Sequence, residues 1–356
     1  MQAVGVDPVI DAASISVVGL AEVVSHLPRI YGEYRKLVRY ARQHPPDAAL
    51  LTDSPDFHLR LARRLKRQNV PVFYLVAPQV WAWRQGRVKA IAKLVDKLFC
   101  LFPFEERWFR ERGVDASYIG HPLAFMARTQ ATRSEFFSRY NLPASPQLVV
   151  LLPGSRVGEV IRHLPVLLES VRLLRSRRDL SFILATPKGF RSSEALETFQ
   201  ERIRALSIKV IESDTWDCIG HADLALAASG TVTIEAAVLG TPMVTFYKVN
   251  RLSWWAGRRL VKVPFLSMVN LIAERQIVPE LIQHDMTPDR IAAEAEQLLS
   301  SPQKSGHMRD ELARVRTLLT REGDPLERAA EIMIETCSTK YGIHPGSGRV
   351  LRETMN

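Results

Sequence analysis

"LVVLLPGSRVGEVIRHLP", residues 148–165, runs from an unbroken apolar stretch through a turn into a helical pattern. The first five residues read as a buried strand, and a helix is predicted over 157–177. Between them stand Pro153, Gly154, Ser155 and Arg156. A glycine at a strand end lets backbone approach a ligand, and the helix start presents unpaired N–H groups suited to phosphate oxygens. Arg156 can add a bidentate, charge-assisted contact. The plainer reading is an ordinary strand-to-helix turn with a surface arginine. A Walker loop is excluded, because the Lys-Ser/Thr pair is absent.

Working outward, the same alternation continues. Strands are predicted near 180–186, 207–212, 222–228 and 242–247, and helices near 189–206 and 231–239. From about 288 the pattern is helical with charged faces. Upstream, "DAALLT" (47–52), "VPVFYLVA" (70–77), "DKLFCLF" (96–102) and "ASYIG" (116–120) read as strands, with helices near 84–94 and 103–112 between them. Strand–helix alternation in both halves predicts an α/β protein with two doubly wound parallel sheets. The polar "NLPASPQ" (141–147) separates the halves. The expected domains are 1–142, 143–337, and a loose tail at 338–356. The last closing helix is expected to pack back on the first domain or on a second copy of the chain in a homodimer. A helical stretch and no glycine-loop strand precede residue 47, so the first domain reads as short at its front.

The chain has 356 residues, enough for two domains. Lys and Arg number 48 against 38 Asp and Glu, a net +10 that points to an anionic partner: nucleic acid, phosphate ligand or anionic membrane. Cys100, Cys218 and Cys337 lack metal-like spacing and fit a reducing compartment. No apolar run reaches membrane-spanning length, and "MQAVGVDPVIDAA" lacks the features of a signal peptide.

Three further stretches carry chemistry. In "HADLALAASGTVTIEAAVLGTPMVTFYK" (221–248) a strand ends in Ser229-Gly230-Thr231 and a helix begins. That second helix start suits the other part of a diphosphate. Glu235 suits a ribose diol, since a carboxylate accepts from two hydroxyls; complementing the helix dipole is its plain alternative. In "APQVWAWRQGRVKAIAK" (77–93), Trp81 and Trp83 alternate ahead of Arg84, Arg87, Lys89 and Lys93. They stack on sugar or base, sit at a lipid interface, or pack in the core. In "LLTDSPDFHLRLARRLKRQ" (50–68), Ser54 is placed as an N-cap, Pro55 at the first helical position and Asp56 in the first turn. Asp53 is left without such a role, on the lip of a strand, where parallel sheets collect ligands. A turn residue and a catalytic acid both remain open for it. Basic clusters recur at Arg35, Lys36, Arg39 and Arg42; at Arg60, Arg63, Arg64, Lys66 and Arg67; and at Arg258, Arg259 and Lys262 after Trp254-Trp255. Leu20, Val23, Val24, Leu27, Ile30 and Tyr31 form an apolar stripe before the first cluster, suited to a core or to a membrane face.

Taken in order, "TDSPDF", "APQVWAWR", "LFPFE", "IGHPL", "LLPGSR", "ASGTVTIE" and "NLIAERQIVPELIQ" resemble lipid-A-disaccharide synthase from residue 1 to about 335. The resemblance implies a glycosyltransferase of the B type: two Rossmann-like domains facing a cleft, inverting, with no metal or other cofactor required. The family joins UDP-2,3-diacylglucosamine to 2,3-diacylglucosamine 1-phosphate (lipid X). It forms a β-1,6 disaccharide and UDP, in the cytoplasm at the inner face of the inner membrane of Gram-negative bacteria. By this resemblance Asp53 is the base on the acceptor hydroxyl. Gly154, Ser155, Arg156, Ser229, Gly230, Thr231, Glu235, Asn270, Glu274 and Gln283 form the UDP-sugar site. Gln79, Trp81, Trp83 and His121 line the cleft, although His121 also reads as a turn residue before Pro122. The apolar stripe with its basic neighbours becomes a dock for an anionic membrane. The family opens with a strand and a Gly-Glu-x-Ser-Gly-Asp loop upstream of the point matching Met1, so either the start is misassigned or that first unit is missing here.

Three other readings compete. One is another UDP-sugar enzyme of the same fold, an epimerase or a peptidoglycan-type transferase. Another is an inactive, truncated relative. The third is a basic nucleic-acid-binding protein, against which stands the lack of any recognition motif, so no nucleic-acid partner is expected.

Overall fold

Four parallel strands, β1 (Ala49–Thr52), β2 (Val72–Leu75), β3 (Lys97–Cys100) and β4 (Ala116–Tyr118), lie side by side in chain order. The structure is a computed structural model, and it describes residues 5–10, 20–143, 147–187, 189, 194–250, 254–255 and 263–344. Two compact units are formed, Met1–Ile119 with Pro325–Asn356, and Gly120–Asp324.

In the first unit β2 and β3 are the buried strands. Phe73 and Phe99 are both fully buried and stack at 6.3 Å with planes 11° apart. Around them pack Leu101, Ile119 and, from the closing helix Pro325–Tyr341, Ala329 and Cys337. The edge of this core is tied by Asp96. Its carboxylate accepts from Lys66 Nζ (2.8 Å), the Tyr341 hydroxyl (2.6 Å) and the Val72 N–H (2.8 Å). Burial acts to raise that carboxyl, but these bonds outweigh it and hold it below the usual carboxylate range.

The second unit contains β5 (Gln147–Leu152), β6 (Leu180–Thr186), β7 (Lys209–Glu212), β8 (Leu224–Ala228), β9 (Met243–Tyr247) and β10 (Glu280–Ile282). All pairings are parallel, in the order β10-β9-β8-β5-β6-β7. The chain winds outward from β5 through β6 to β7, then returns to β8 on the other side of β5. This reversal makes the sheet doubly wound, and ligands of such sheets bind at the strand carboxyl ends where the order reverses. Every residue of β6 and β8 is buried, as central parallel strands covered on both faces require.

The second unit begins at Gly120, ahead of the polar linker. Residues 120–142 are fastened to it by side chains. Asp217 accepts from the Gln130 N–H at 2.7 Å, Arg133 donates to the His221 carbonyl at 2.5 Å, and Tyr140 and Arg139 both bind Asp214. The expected tail at 338–356 is helical as far as Tyr341; residues 345–356 lie outside the described residues.

Candidate active site

The two loops singled out in the sequence end β5 and β8, which are neighbours at the reversal. Helix Val157–Arg175 follows the first loop, and helix Thr231–Leu239 follows the second. Together they line a cavity of about 690 Å³ that contains Gly154, Ser155, Arg156, Ser229, Gly230, Thr231 and Glu235. Seven of the ten predicted nucleotide residues are thus brought together. The adjoining wall comes from Thr186 of β6, Ser213 and Asp214 of the turn after β7, and Trp216 of the short helix Thr215–Gly220 that follows.

Gly154 has φ +120°, which an L side chain rarely adopts. A Cβ there would also lie 2.6 Å from Glu159 Oε2 and 2.9 Å from Glu159 Cβ. Arg156 is the N-cap residue but makes no side-chain cap. Its guanidinium is largely exposed and pairs with Glu159 Oε1 at 3.0 Å, an oxygen that also accepts from the Tyr247 hydroxyl at 3.3 Å. Glu235 lies beyond the first turn of its helix, which weakens the dipole explanation for it. It accepts from Trp216 Nε1 at 3.0 Å. Burial pushes its carboxyl above the usual range, and the Trp216 bond opposes this without cancelling it.

His163 was not singled out, yet it braces the floor of the site. Fully buried, it donates from Nδ1 to the Pro153 carbonyl at 2.7 Å and accepts at Nε2 from the Lys248 N–H at 3.1 Å. The ring therefore links the ends of β5 and β9. Burial lowers its pKa despite the bond to the Pro153 carbonyl, which favours the neutral ring that accepts the Lys248 N–H. A histidine in the second turn of the helix after a strand-end glycine loop is the available signal.

Asn270, Glu274 and Gln283 do not line this cavity. Asn270 is fully buried with its amide committed. It donates to the Val278 carbonyl and Glu280, and accepts from the Ile277 and Val278 N–H groups. Gln283 clamps the Val249 backbone, accepting its N–H at 2.7 Å and donating to its carbonyl at 3.2 Å. Glu274 is exposed, in left-handed conformation after helix Met268–Ala273.

In the first unit Asp53 stands just past β1, exposed and left-handed at φ 54°. Its carbonyl accepts from His58 Nδ1 at 2.8 Å and from the Tyr74 hydroxyl. Ser54 holds the N-cap position of helix Pro55–Lys66, but at φ 38° and ψ 60° its side chain makes no cap. The capping role expected of it is not found, because capping needs an extended backbone there. Asp56 has more than the helix dipole: it forms ion pairs with Arg84 and Arg87.

The tryptophans divide. Trp81 is buried, edge-on to Phe104, and donates from Nε1 to Glu105 at 2.9 Å. Glu105 also accepts from the Leu101 and Phe102 N–H groups, yet burial drives its carboxyl up to about 7. Trp83 is exposed beneath the Arg84 guanidinium, and Gln79 is exposed. His121 is buried and caps the short helix Pro122–Met126 by accepting the Leu123 N–H at 3.1 Å. Burial pushes its pKa down to about 4. In helix Leu20–Gln43, Leu27 and Tyr31 are exposed and Ile30 is half-buried. The side chains of Leu20, Val23 and Val24 lie outside the described residues, as do Arg258, Arg259 and Lys262. Among the described residues no helix is long and apolar enough to cross a membrane.

The family model for lipid-A-disaccharide synthetase matches residues 1–332. The chain belongs to that family. The lipid-A-disaccharide synthase of Solibacter usitatus (strain Ellin6076) is 52% identical over 93% of this chain and 86% of its own length. That of Geobacter metallireducens is 40% identical over 96% and 88%. Similar solved structures include the S. aureus MnaA–UDP co-structure (13% identity, TM-score 0.58, covering 93% of this chain and 83% of that one). Another is the Neisseria meningitidis UDP-GlcNAc 2-epimerase bound to UDP-GlcNAc (12%, 0.55, 90% and 82%). These carry the fold alone: two parallel-sheet α/β domains shared by glycosyltransferases and epimerases. As a member of the lipid-A-disaccharide synthase family, the chain is a hexosyltransferase of lipid A biosynthesis.

Proposed function

We propose that the chain joins UDP-2,3-diacylglucosamine to 2,3-diacylglucosamine 1-phosphate, forming the β-1,6 disaccharide and releasing UDP. The observation that carries this reading is the pair of loop-helix starts on adjacent strands β5 and β8, lining one cavity with Glu235. UDP lies across both loops, its ribose hydroxyls donating to Glu235. As the sugar–phosphate bond breaks, charge grows on the diphosphate. Arg156 and the N–H groups at the two helix starts stabilise it there. Asp53 takes the proton from the acceptor 6-hydroxyl while that oxygen bonds to the donor's anomeric carbon from the face opposite UDP. Asn270 and Gln283 support the site through the backbone they hold, and Glu274 borders the donor.

Arg156→Ala is expected to weaken UDP binding about tenfold, the value of one charge-assisted hydrogen bond. Calorimetry on wild type and variant checks this, and equal affinity removes Arg156 from the site. The neighbouring reading, an epimerase, predicts conversion of UDP-GlcNAc without an acceptor. Release of UDP only when both lipid substrates are supplied rules that out.

The chain works at the inner face of the inner membrane as a peripheral protein. Support comes from the +10 charge, exposed Leu27 and Tyr31, and the neighbouring Arg35, Lys36 and Arg39. Each cation near an anionic leaflet contributes about 1 kcal/mol. Flotation is therefore expected to recover the protein with anionic vesicles at low salt, and to lose it at high salt or with neutral vesicles. Equal recovery in all conditions contradicts an electrostatic dock.

A further inference from the structure

Glu159 takes no part in the reaction just described, yet it stands against the diphosphate loop. It is the third residue of helix Val157–Arg175, with a side chain only 12% exposed, and it lines the cavity. An acid in a first helical turn is ordinary and by itself says nothing. Its placement says more. Oε1 takes the Arg156 guanidinium and the Tyr247 hydroxyl, while Oε2 lies 2.6 Å from where a Cβ on Gly154 would stand. The carboxylate is folded back over the glycine turn. There it presents Oε1 to the arginine at the start of the helix, where a phosphoryl oxygen would stand.

We propose that Glu159 is an internal counter-anion of the diphosphate loop, one that a nucleoside diphosphate must displace and that speeds departure of the UDP product. The proposal rests on the reading of this cavity as the UDP site. Two anions sharing one cation in a half-enclosed site repel each other, so each weakens the hold on the other. The repulsion is selective. In the sugar donor the terminal phosphate is esterified and carries one charge. In free UDP that phosphate has a second ionisation near pH 6, as phosphate monoesters do, and at neutral pH it carries more charge. Glu159 therefore disfavours product more than substrate, an asymmetry that a fixed cationic loop would reverse.

The test compares UDP with uridine on wild type and Glu159→Gln, which keeps the shape and removes the charge. Glu159→Gln is expected to bind UDP about tenfold more tightly with uridine affinity unchanged, and to show stronger product inhibition. Unchanged or weaker UDP binding with uridine intact overturns the proposal and makes Glu159 a residue that aims Arg156. A wild type that binds no UDP sinks the nucleotide-site reading itself. Should Glu159→Gln lose uridine as well, Tyr247→Phe decides, since it frees the carboxylate without altering charge. Tighter UDP binding in that variant supports the proposal, and unchanged or weaker binding refutes it.

Discussion

Asp53→Asn is expected to lower turnover by about 10²–10⁴-fold, the range for a positioned general base, with the fold retained. The backbone argues for the second half of that statement. Asp53 is left-handed, and its conformation is held through its carbonyl by His58 and Tyr74. Asparagine adopts the left-handed region at least as readily, so the exchange removes charge without adding strain. Consecutive left-handed residues at Asp53 and Ser54 are a strained arrangement, and such strain gathers at functional positions. Asp56→Asn is the contrast. That carboxylate is exposed and paired with surface arginines, so its loss should cost under about 1 kcal/mol and leave most activity. Steady-state rates on both lipid substrates, with thermal melting alongside, separate the two. An Asp53→Asn variant that turns over like wild type would make both acids helix-start residues and nothing more.

The centre of the second sheet is readable because β5 and β8 are continuous apolar runs that end in a glycine-containing turn. "LVVLL" and "LALAA" carry that signal over five residues each, and the nucleotide loops follow directly. β10 escaped notice: three residues, only Leu281 of them buried, are too few to show a period. The compact units divide at Gly120 and not at the polar linker for a different reason. "NLPASPQ" has linker composition, but residues 120–142 are held by Asp214, Asp217 and His221, more than seventy positions away, and no local pattern reports such bonds. Trp81 and Trp83 were legible as an alternating pair. Which one points inward depended on Glu105, whose burial the sequence disguises as one more helix-start acid. Asn270 shows the converse. The family resemblance placed it near the donor, while its amide is spent on Ile277, Val278 and Glu280.

Phe99→Ala is expected to destabilise the first unit by about 3–5 kcal/mol, the cost of emptying a buried aromatic site. Phe99 is fully buried on β3, stacked on Phe73 and surrounded by Leu101, Ile119, Ala329 and Cys337. Rigid strand neighbours leave little scope for collapse into the hole. Against a typical domain stability of about 5–15 kcal/mol, the loss is a large fraction. A chain of two units need not unfold in one step, so a single melting temperature is the wrong measure. Hydrogen exchange by segment is the right one. Ala329 and Cys337 reach this core from the far end of the chain, and Tyr341 is tied to Asp96 and Lys66. Helix Pro325–Tyr341 should therefore lose protection together with β2 and β3, while β5, β6 and β8 keep theirs. If that helix keeps its protection while β3 loses it, the helix is not part of the first unit's cooperative core.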